Sequence, residues 1–254
     1  MNAELPAPDL SAYSETQRAF AVAAWPLRAA EELRSALIYR ALATASRAAG
    51  MPAPWPARLA EVMRDEVRHA RLCATVGARL GAAAPRYDAG PVRVRLAPLG
   101  DPLARTGALL CAEVAIGETI SMTLFRAGRR AAIEPLTRAA LESILRDEVR
   151  HQLLGWEGLA ALWPMLDPAR RAALQGEATG ALAACEQTIA LPVLHRLEAG
   201  EPFDPACAEL GVLAPETRVE AFYAAIEQLV VPHLDRLGLD GARAWRDRYR
   251  VQPA

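Results

Sequence analysis

Asp65-Glu66-Val67-Arg68-His69 recurs unchanged as Asp147-Glu148-Val149-Arg150-His151. The chain has only four histidines, and two of them lie inside this repeat. In each copy Glu and His stand three residues apart, which puts both on one face of a helix. A carboxylate and an imidazole on one face suit a metal such as iron. In a helix bundle this spacing, given twice, is the pattern of a di-metal carboxylate site.

Such a site needs one further Glu from each of two other helices. The segments before the two motifs should therefore resemble each other, and they do. Glu32-Leu33-Arg34-Ser35-Ala36-Leu37-Ile38-Tyr39-Arg40-Ala41 aligns without gaps to Glu118-Thr119-Ile120-Ser121-Met122-Thr123-Leu124-Phe125-Arg126-Ala127. The Glu, the Ser, the aromatic and the Arg-Ala coincide. Glu32 precedes Glu66 by 34 positions (32 to 66) and Glu118 precedes Glu148 by 30 (118 to 148). Either gap lets a chain climb one helix, turn, and meet the next at the same height. Glu31 and Glu113 form a competing register, but the residues around them match poorly. Glu113 and Glu118 are also about 140° apart on an α-helix. Glu32, Glu66, His69, Glu118, Glu148 and His151 are thus the expected ligands.

A metal-bound imidazole needs an acceptor for its other N–H. Asp65 and Asp147 supply one, the Asp of each motif serving the His of the other. Arg68 and Arg150 hold those carboxylates ionised. Tyr39 and its counterpart Phe125, with Cys73 and Cys111 at helical spacing from His69 and Glu118, are candidates to line the cavity. Phe125 cannot move protons or electrons, so Tyr39 reads as a packing aromatic. The cysteines read as buried structural residues.

Around this repeat the sequence reads as all-α. It is half hydrophobic and rich in Ala, Leu and Arg, a composition that favours helices. Helices are expected over 14–49 (with Pro26 as a kink or a fresh start), 57–80, 103–130 and 135–162. Two more are expected over 168–197 and 216–237, bent at Pro192 and Pro232, then a short tail over 241–249. Residues 1–10 read as a loose arm, and Met51–Pro56 as a turn. Residues 82–102 form a long crossover, with a short extended piece at 91–96. Two domains follow: a four-helix di-metal bundle at 1–163, and a helical extension at 164–254 that can shape a substrate pocket or a homodimer interface. His195 and His233, in that extension, offer no Glu-x-x-His spacing and read as packing residues.

The net charge of −1 gives no reason to expect nucleic acid or a membrane as partner. No apolar run reaches ~18 residues, which argues against a spanning helix. Four scattered cysteines without a C-x-x-C pair argue against a disulfide framework or a rubredoxin-type iron site. A cytoplasmic setting is the simplest.

The doubled motif resembles the Asp-Glu-x-Arg-His motifs of bacterial multicomponent monooxygenase hydroxylases, and it is similar to the Glu-x-x-His pairs of bacterioferritin, rubrerythrin and ribonucleotide reductase small subunits. All are ferritin-like di-iron carboxylate proteins. The resemblance covers about residues 14–163. It implies a ferritin-like four-helix bundle with one long crossover, and two irons (or manganese, or a mixed pair) bridged by Glu66 and Glu148. It also implies O₂ as a co-substrate, a small organic molecule as substrate, and electrons from an external reductase. The implied activity is hydroxylation, N-oxygenation or desaturation. A ferroxidase or peroxide-consuming protein is the alternative, and a non-catalytic helical scaffold the second.

Overall fold

The computed structural model describes residues 5–88 and 100–251. The described residues are helical throughout, without a strand. Helix α1 spans Glu15–Ala48 and α2 spans Pro54–Leu80. Helix α3 spans Pro102–Ala131, and α4 spans Pro135–Leu162. These four form the bundle. Helices α5 (residues 168–198) and α6 (215–237) follow, then the short α7, Gly241–Asp247.

The starts are written in the sequence as caps. Ser14 and Gln17 form a reciprocal capping box at α1. Asp101, Glu134 and Asp167 each accept backbone N–H bonds from the first turn of α3, α4 and α5, and a proline follows each of them. A proline there gives up an N–H that has no helical partner anyway. Helix α2 begins three residues earlier than expected, because Pro54 and Pro56 are first-turn prolines rather than parts of a turn. It ends at Gly81, whose φ of 103° is left-handed. Pro26 leaves α1 continuous.

The N-terminal arm is docked rather than loose. Arg79 donates to the carbonyls of Leu5 and Pro6, and Asp9 donates its N–H to Glu134. The extended piece expected at 91–96 lies outside the described residues.

Three helices widen locally into π turns: α3 at Leu110–Ile116, α5 at Glu186–Ala190 and α6 at Ile226–Val230. The last two end two residues before Pro192 and Pro232. A proline inside a helix has no N–H and crowds the preceding turn, and a wider turn relieves both problems. The widening in α3 has no proline. It coincides with close packing by α4, where a Cβ on Gly155 would fall 2.6–2.9 Å from backbone atoms of Val114 and Ala115, and one on Gly158 would fall 2.9 Å from Leu110.

Apolar side chains gather in two clusters. The larger joins residues of all four bundle helices, among them Tyr39, Leu59, Leu110 and Leu154, to Leu174, Phe222 and Leu234 of α5 and α6. The C-terminal helices therefore share the bundle's core. The smaller cluster joins Trp25, Cys73, Leu141 and Ile144 to Leu210. Helix α3 is long and apolar enough to cross a bilayer by length and composition, although no uninterrupted apolar run announces it. Of its most apolar stretch, 56% is buried inside the protein, as in a core helix.

Candidate metal centre

All six expected ligands are buried, Glu118 the most exposed at 7% and His151 the least at 0%. Glu66 and His69 project from α2, Glu148 and His151 from α4. One ligand atom from each of these four lies within 4.8 Å of the others. Both imidazoles turn Nδ1 inward. His69 Nδ1 is 3.3 Å from Glu148, 3.5 Å from Glu32 and 4.0 Å from Glu66. His151 Nδ1 is 2.9 Å from Glu66 and 3.5 Å from Glu148. Glu32 of α1 thus joins the cluster directly. Glu118 of α3 accepts a hydrogen bond of 3.0 Å from the Tyr39 hydroxyl.

The competing pair is placed differently. Glu31 is exposed. Glu113 is bound to Arg34, 2.8 Å away, on the flank of α1.

Both Nε2 atoms face outward, and each motif's Asp meets the other motif's His. His69 Nε2 lies 3.1 Å from Asp147, and His151 Nε2 lies 3.4 Å from Asp65. Arg68 donates to Asp65 at 2.7 Å and Asp147 at 2.6 Å. Arg150 donates to Asp147 at 2.8 Å and Asp65 at 3.2 Å. The pairing of residues 65 with 150–151 and of 68–69 with 147 runs α2 and α4 antiparallel. With Nε2–H committed to an Asp, Nδ1 is left as a lone-pair donor pointing into the cluster.

The inward atoms have no partner of their own. Glu66 Oε1, His69 Nδ1, Glu148 Oε2 and His151 Nδ1 are buried without a hydrogen bond. Leaving such atoms unpaired costs about 1–3 kcal/mol each, more where they are charged. A hard or borderline cation accepts lone pairs from carboxylate oxygens and imidazole nitrogens together. These residues therefore fit a metal.

Without a cation the cluster holds protons instead. Burial raises the Glu118 pKa, and the nearby Glu148 charge adds to it, to about 8. Burial, with Glu118 and Glu32 beside it, likewise pushes Glu66 well above the carboxylate range. Burial also disfavours an imidazolium at His69, but the Glu148 and Glu32 carboxylates outweigh it and lift the pKa to about 10. At His151 Glu148 does the same, to about 9. Glu148, despite its burial, is held down at about 2 by both imidazoles.

The cavity candidates divide. Tyr39 is more than a packing aromatic, since its hydroxyl bonds a cluster carboxylate and its ring lies 6.1 Å from that of His151. Burial and the Glu32 carboxylate both push the Cys73 thiol well up, which places it beside the cluster. Burial and then Glu177 of α5 raise the Cys111 pKa to about 12, so Cys111 faces α5. Phe125 packs, partly buried, on the smaller apolar cluster. His233 stacks on Trp156 with ring centres 4.7 Å apart and bonds the Leu229 carbonyl through Nδ1. His195 is exposed. Trp156 itself donates to Thr119, next to Glu118. That link, which sequence spacing did not point to, crosses between helices and follows no repeat.

No family model and no curated protein matches the chain. Among solved structures it is similar to a Synechococcus protein with aldehyde deformylating oxidase activity. The TM-score is 0.61 at 19% identity, over 94% of this chain and 98% of that one. At that identity the likeness speaks for the fold, a ferritin-like helical bundle. In fold the chain is a ferritin-like helical bundle, and where its two Glu-x-x-His helices meet it carries a buried carboxylate and imidazole cluster suited to a metal.

Proposed function

We propose that the protein is an O₂-dependent non-haem di-iron oxidase acting on a small organic substrate. The observation that carries this reading is the set of four buried, unpartnered ligand atoms turned toward one another between α2 and α4. The ferritin-like fold shared with a protein of oxidase activity supports it. Four buried carboxylates and two neutral imidazoles carry the charge that two divalent cations would balance, and buried charge without a partner is costly. Glu66 and Glu148, each close to both histidines, suit the bridging positions.

Two irons held by Glu32, Glu66, His69, Glu118, Glu148 and His151 would supply two-electron chemistry toward O₂, of the kind used in hydroxylation, N-oxygenation, desaturation or aldehyde oxidation. The chain's own residues prepare the site for it. Asp65 and Asp147 fix the imidazole orientation. Arg68 and Arg150 tie those carboxylates across the α2–α4 seam. The Tyr39 hydroxyl holds Glu118 through a proton that burial and the Glu118 charge make hard to lose, its pKa being raised well above 10. The apolar clusters that contain Tyr39 and Cys73 help to keep bulk water from the site. An external reductase is part of the proposal, as the source of the electrons.

The test is metal analysis of the purified protein, followed by anaerobic Fe(II) loading and exposure to O₂. About two irons per chain and stoichiometric O₂ uptake are expected. Glu148→Ala should abolish that uptake. No bound iron would remove the oxidase reading. Oxidation of iron in large excess, with mineral formed, would replace it with iron storage.

A further inference from the structure

The outer face of α2 and α4 lies over the outward edges of His69 and His151, and α5 and α6, which pack against α3, leave it open. On α2, Arg64, Arg68 and Arg71 follow at helical spacing and are exposed; on α4, Arg146, Val149, Arg150 and Leu153 do the same. Ion pairs of Arg58 with Glu157, Arg150 with Asp65 and Arg68 with Asp147 hold the two rows side by side. The same antiparallel register brings Arg71 within about two residues, or ~3 Å along the axis, of the level of Arg146. Asp65 and Asp147 answer Arg68 and Arg150. Glu142 and Glu157 are each held by arginines outside the centre of the face. Arg64, Arg71 and Arg146 have no ion pair and no side-chain hydrogen bond among the described residues, and only Glu61, exposed one turn before Arg64, stands against the three. The centre of the face is therefore positive in a chain whose net charge is −1.

Val149 and Leu153 are 41% and 51% exposed, two of the five large apolar side chains left so open among the described residues. Trp156, partly buried, continues their row one turn on. One exposed leucine needs no explanation, but an apolar row rimmed by free arginines has the make-up of a protein contact. A second copy of this chain does not suit it, because a two-fold contact would bring the same positive patch to both sides. An acidic partner does suit it. The cluster also comes near solvent here. From exposed Arg68 two hydrogen bonds, 2.6 Å to Asp147 and 3.1 Å on to His69, reach the cluster. From Trp156 a bond of 3.0 Å reaches Thr119, whose neighbour in the chain is Glu118.

We propose that this face docks an acidic protein that carries single electrons, with its carboxylates against Arg64, Arg71 and Arg146 and an apolar spot over Leu153. The electron-carrying role of the partner rests on the oxidase reading; the docking surface does not. Each encounter oxidises the reduced carrier by one electron, so two encounters supply the pair that reaction with O₂ consumes. Contacts of this transient kind are small, under about 1,200 Å², and opposite charge speeds their formation more than it tightens them.

The test measures, by calorimetry under argon, binding of the iron-loaded protein to a plant-type two-iron ferredoxin, an acidic carrier, and to cytochrome c, a basic carrier of similar size. Ferredoxin should bind, and raising NaCl from about 20 to about 200 mM should weaken it at least about tenfold. Arg71→Glu combined with Arg146→Glu should weaken it by at least as much, and Leu153→Asp should weaken it too, with iron content and melting temperature unchanged. Arg40→Glu, on the exposed side of α1, should leave binding as it was. No ferredoxin binding, equal binding of cytochrome c, or binding indifferent to the two arginine reversals would overturn the surface. Arginine-dependent capture by phosphatidylglycerol vesicles without ferredoxin binding would overturn the electron-carrier assignment, and a dimer dissolved by Leu153→Asp would give the face to a second copy instead. Arginine-dependent ferredoxin binding in a protein that takes up no O₂ would keep the surface and sink the oxidase. O₂ uptake driven by dithionite, with no arginine-dependent binding, would do the reverse.

Discussion

His69 shows how a single side chain is assigned its task. Its Nε2 is fastened to Asp147 and its Nδ1 faces three carboxylates. In the metal-free protein those carboxylates lift its pKa to about 10, that of His151 to about 9, and burial lifts Glu118 to about 8. All three hold a proton at neutral pH, and a metal must displace it. The raised values mean that protonated His69 and His151 stabilise the fold fully below about pH 6.5 and lose that contribution as pH rises through about 9 to 10. Protonated Glu118 does so fully only below about pH 4.5 and loses it as pH rises through about 8. Metal affinity moves the opposite way and should climb over the same interval. Anaerobic Mn(II) titration calorimetry in buffers of different ionisation enthalpy should show release of roughly three to four protons per chain at pH 7, from both histidines, Glu118 and Glu66, and fewer at pH 9.5. Binding with no proton release would place the metal somewhere other than this cluster.

At the scale of the element, α3 and α4 meet backbone to backbone at one point, besides their side-chain contacts. A Cβ on Gly155 would meet the main chain of Ala115 at 2.6 Å, and main chain retreats only by moving a helix. Gly155→Ala should therefore cost about 1–3 kcal/mol and weaken metal binding, because α3 carries Glu118 and α4 carries His151. Gly176→Ala, with nothing near its Cβ, should be neutral or stabilise α5 by up to about 1 kcal/mol. Thermal melts and metal titration of both variants check this. Equal melts would mean that α4 is free to shift.

The same contact marks the limit of what the sequence discloses. Glu-x-x-His spacing, caps and prolines are local, and from them α4 and the crossed Asp–His pairs could be read in advance. The widened turn at Leu110–Ile116 is not local. It has no proline and arises where Gly155 and Gly158 press on α3. A π turn rotates less per residue than an α turn. Cys111, seven positions before Glu118, therefore leaves the face that an α period assigns to it and turns to Glu177. Tyr39 packs in the larger apolar cluster, as its counterpart Phe125 suggests, but its hydroxyl also reaches across to the other half's Glu118, which an aromatic match to Phe125 does not disclose.

For the molecule as a whole, one polar layer lies in the bundle beside two apolar clusters, and α5 and α6 share the larger cluster. Ligand that binds only the folded state adds stability by mass action, about 2.7 kcal/mol at ~100 times Kd, or roughly 5–10 °C for a chain of this size. Chelation of the metal should lower the melting temperature by that much without loss of helical circular dichroism at 25 °C. Complete unfolding on chelation would show that the apolar clusters cannot hold the helices alone.

The ring of Arg68, Asp147, Arg150 and Asp65 is two-fold in pattern: exchanging the halves maps every contact onto its mate. Symmetry of that kind would make the two ends of the cluster interchangeable. Tyr39 breaks it from outside. It donates to Glu118, while Phe125 in the matching place has no hydroxyl to offer Glu32. One end of the cluster thus keeps a tethered carboxylate and the other a carboxylate without that tether, a built-in handedness that makes the two ends of the cluster inequivalent.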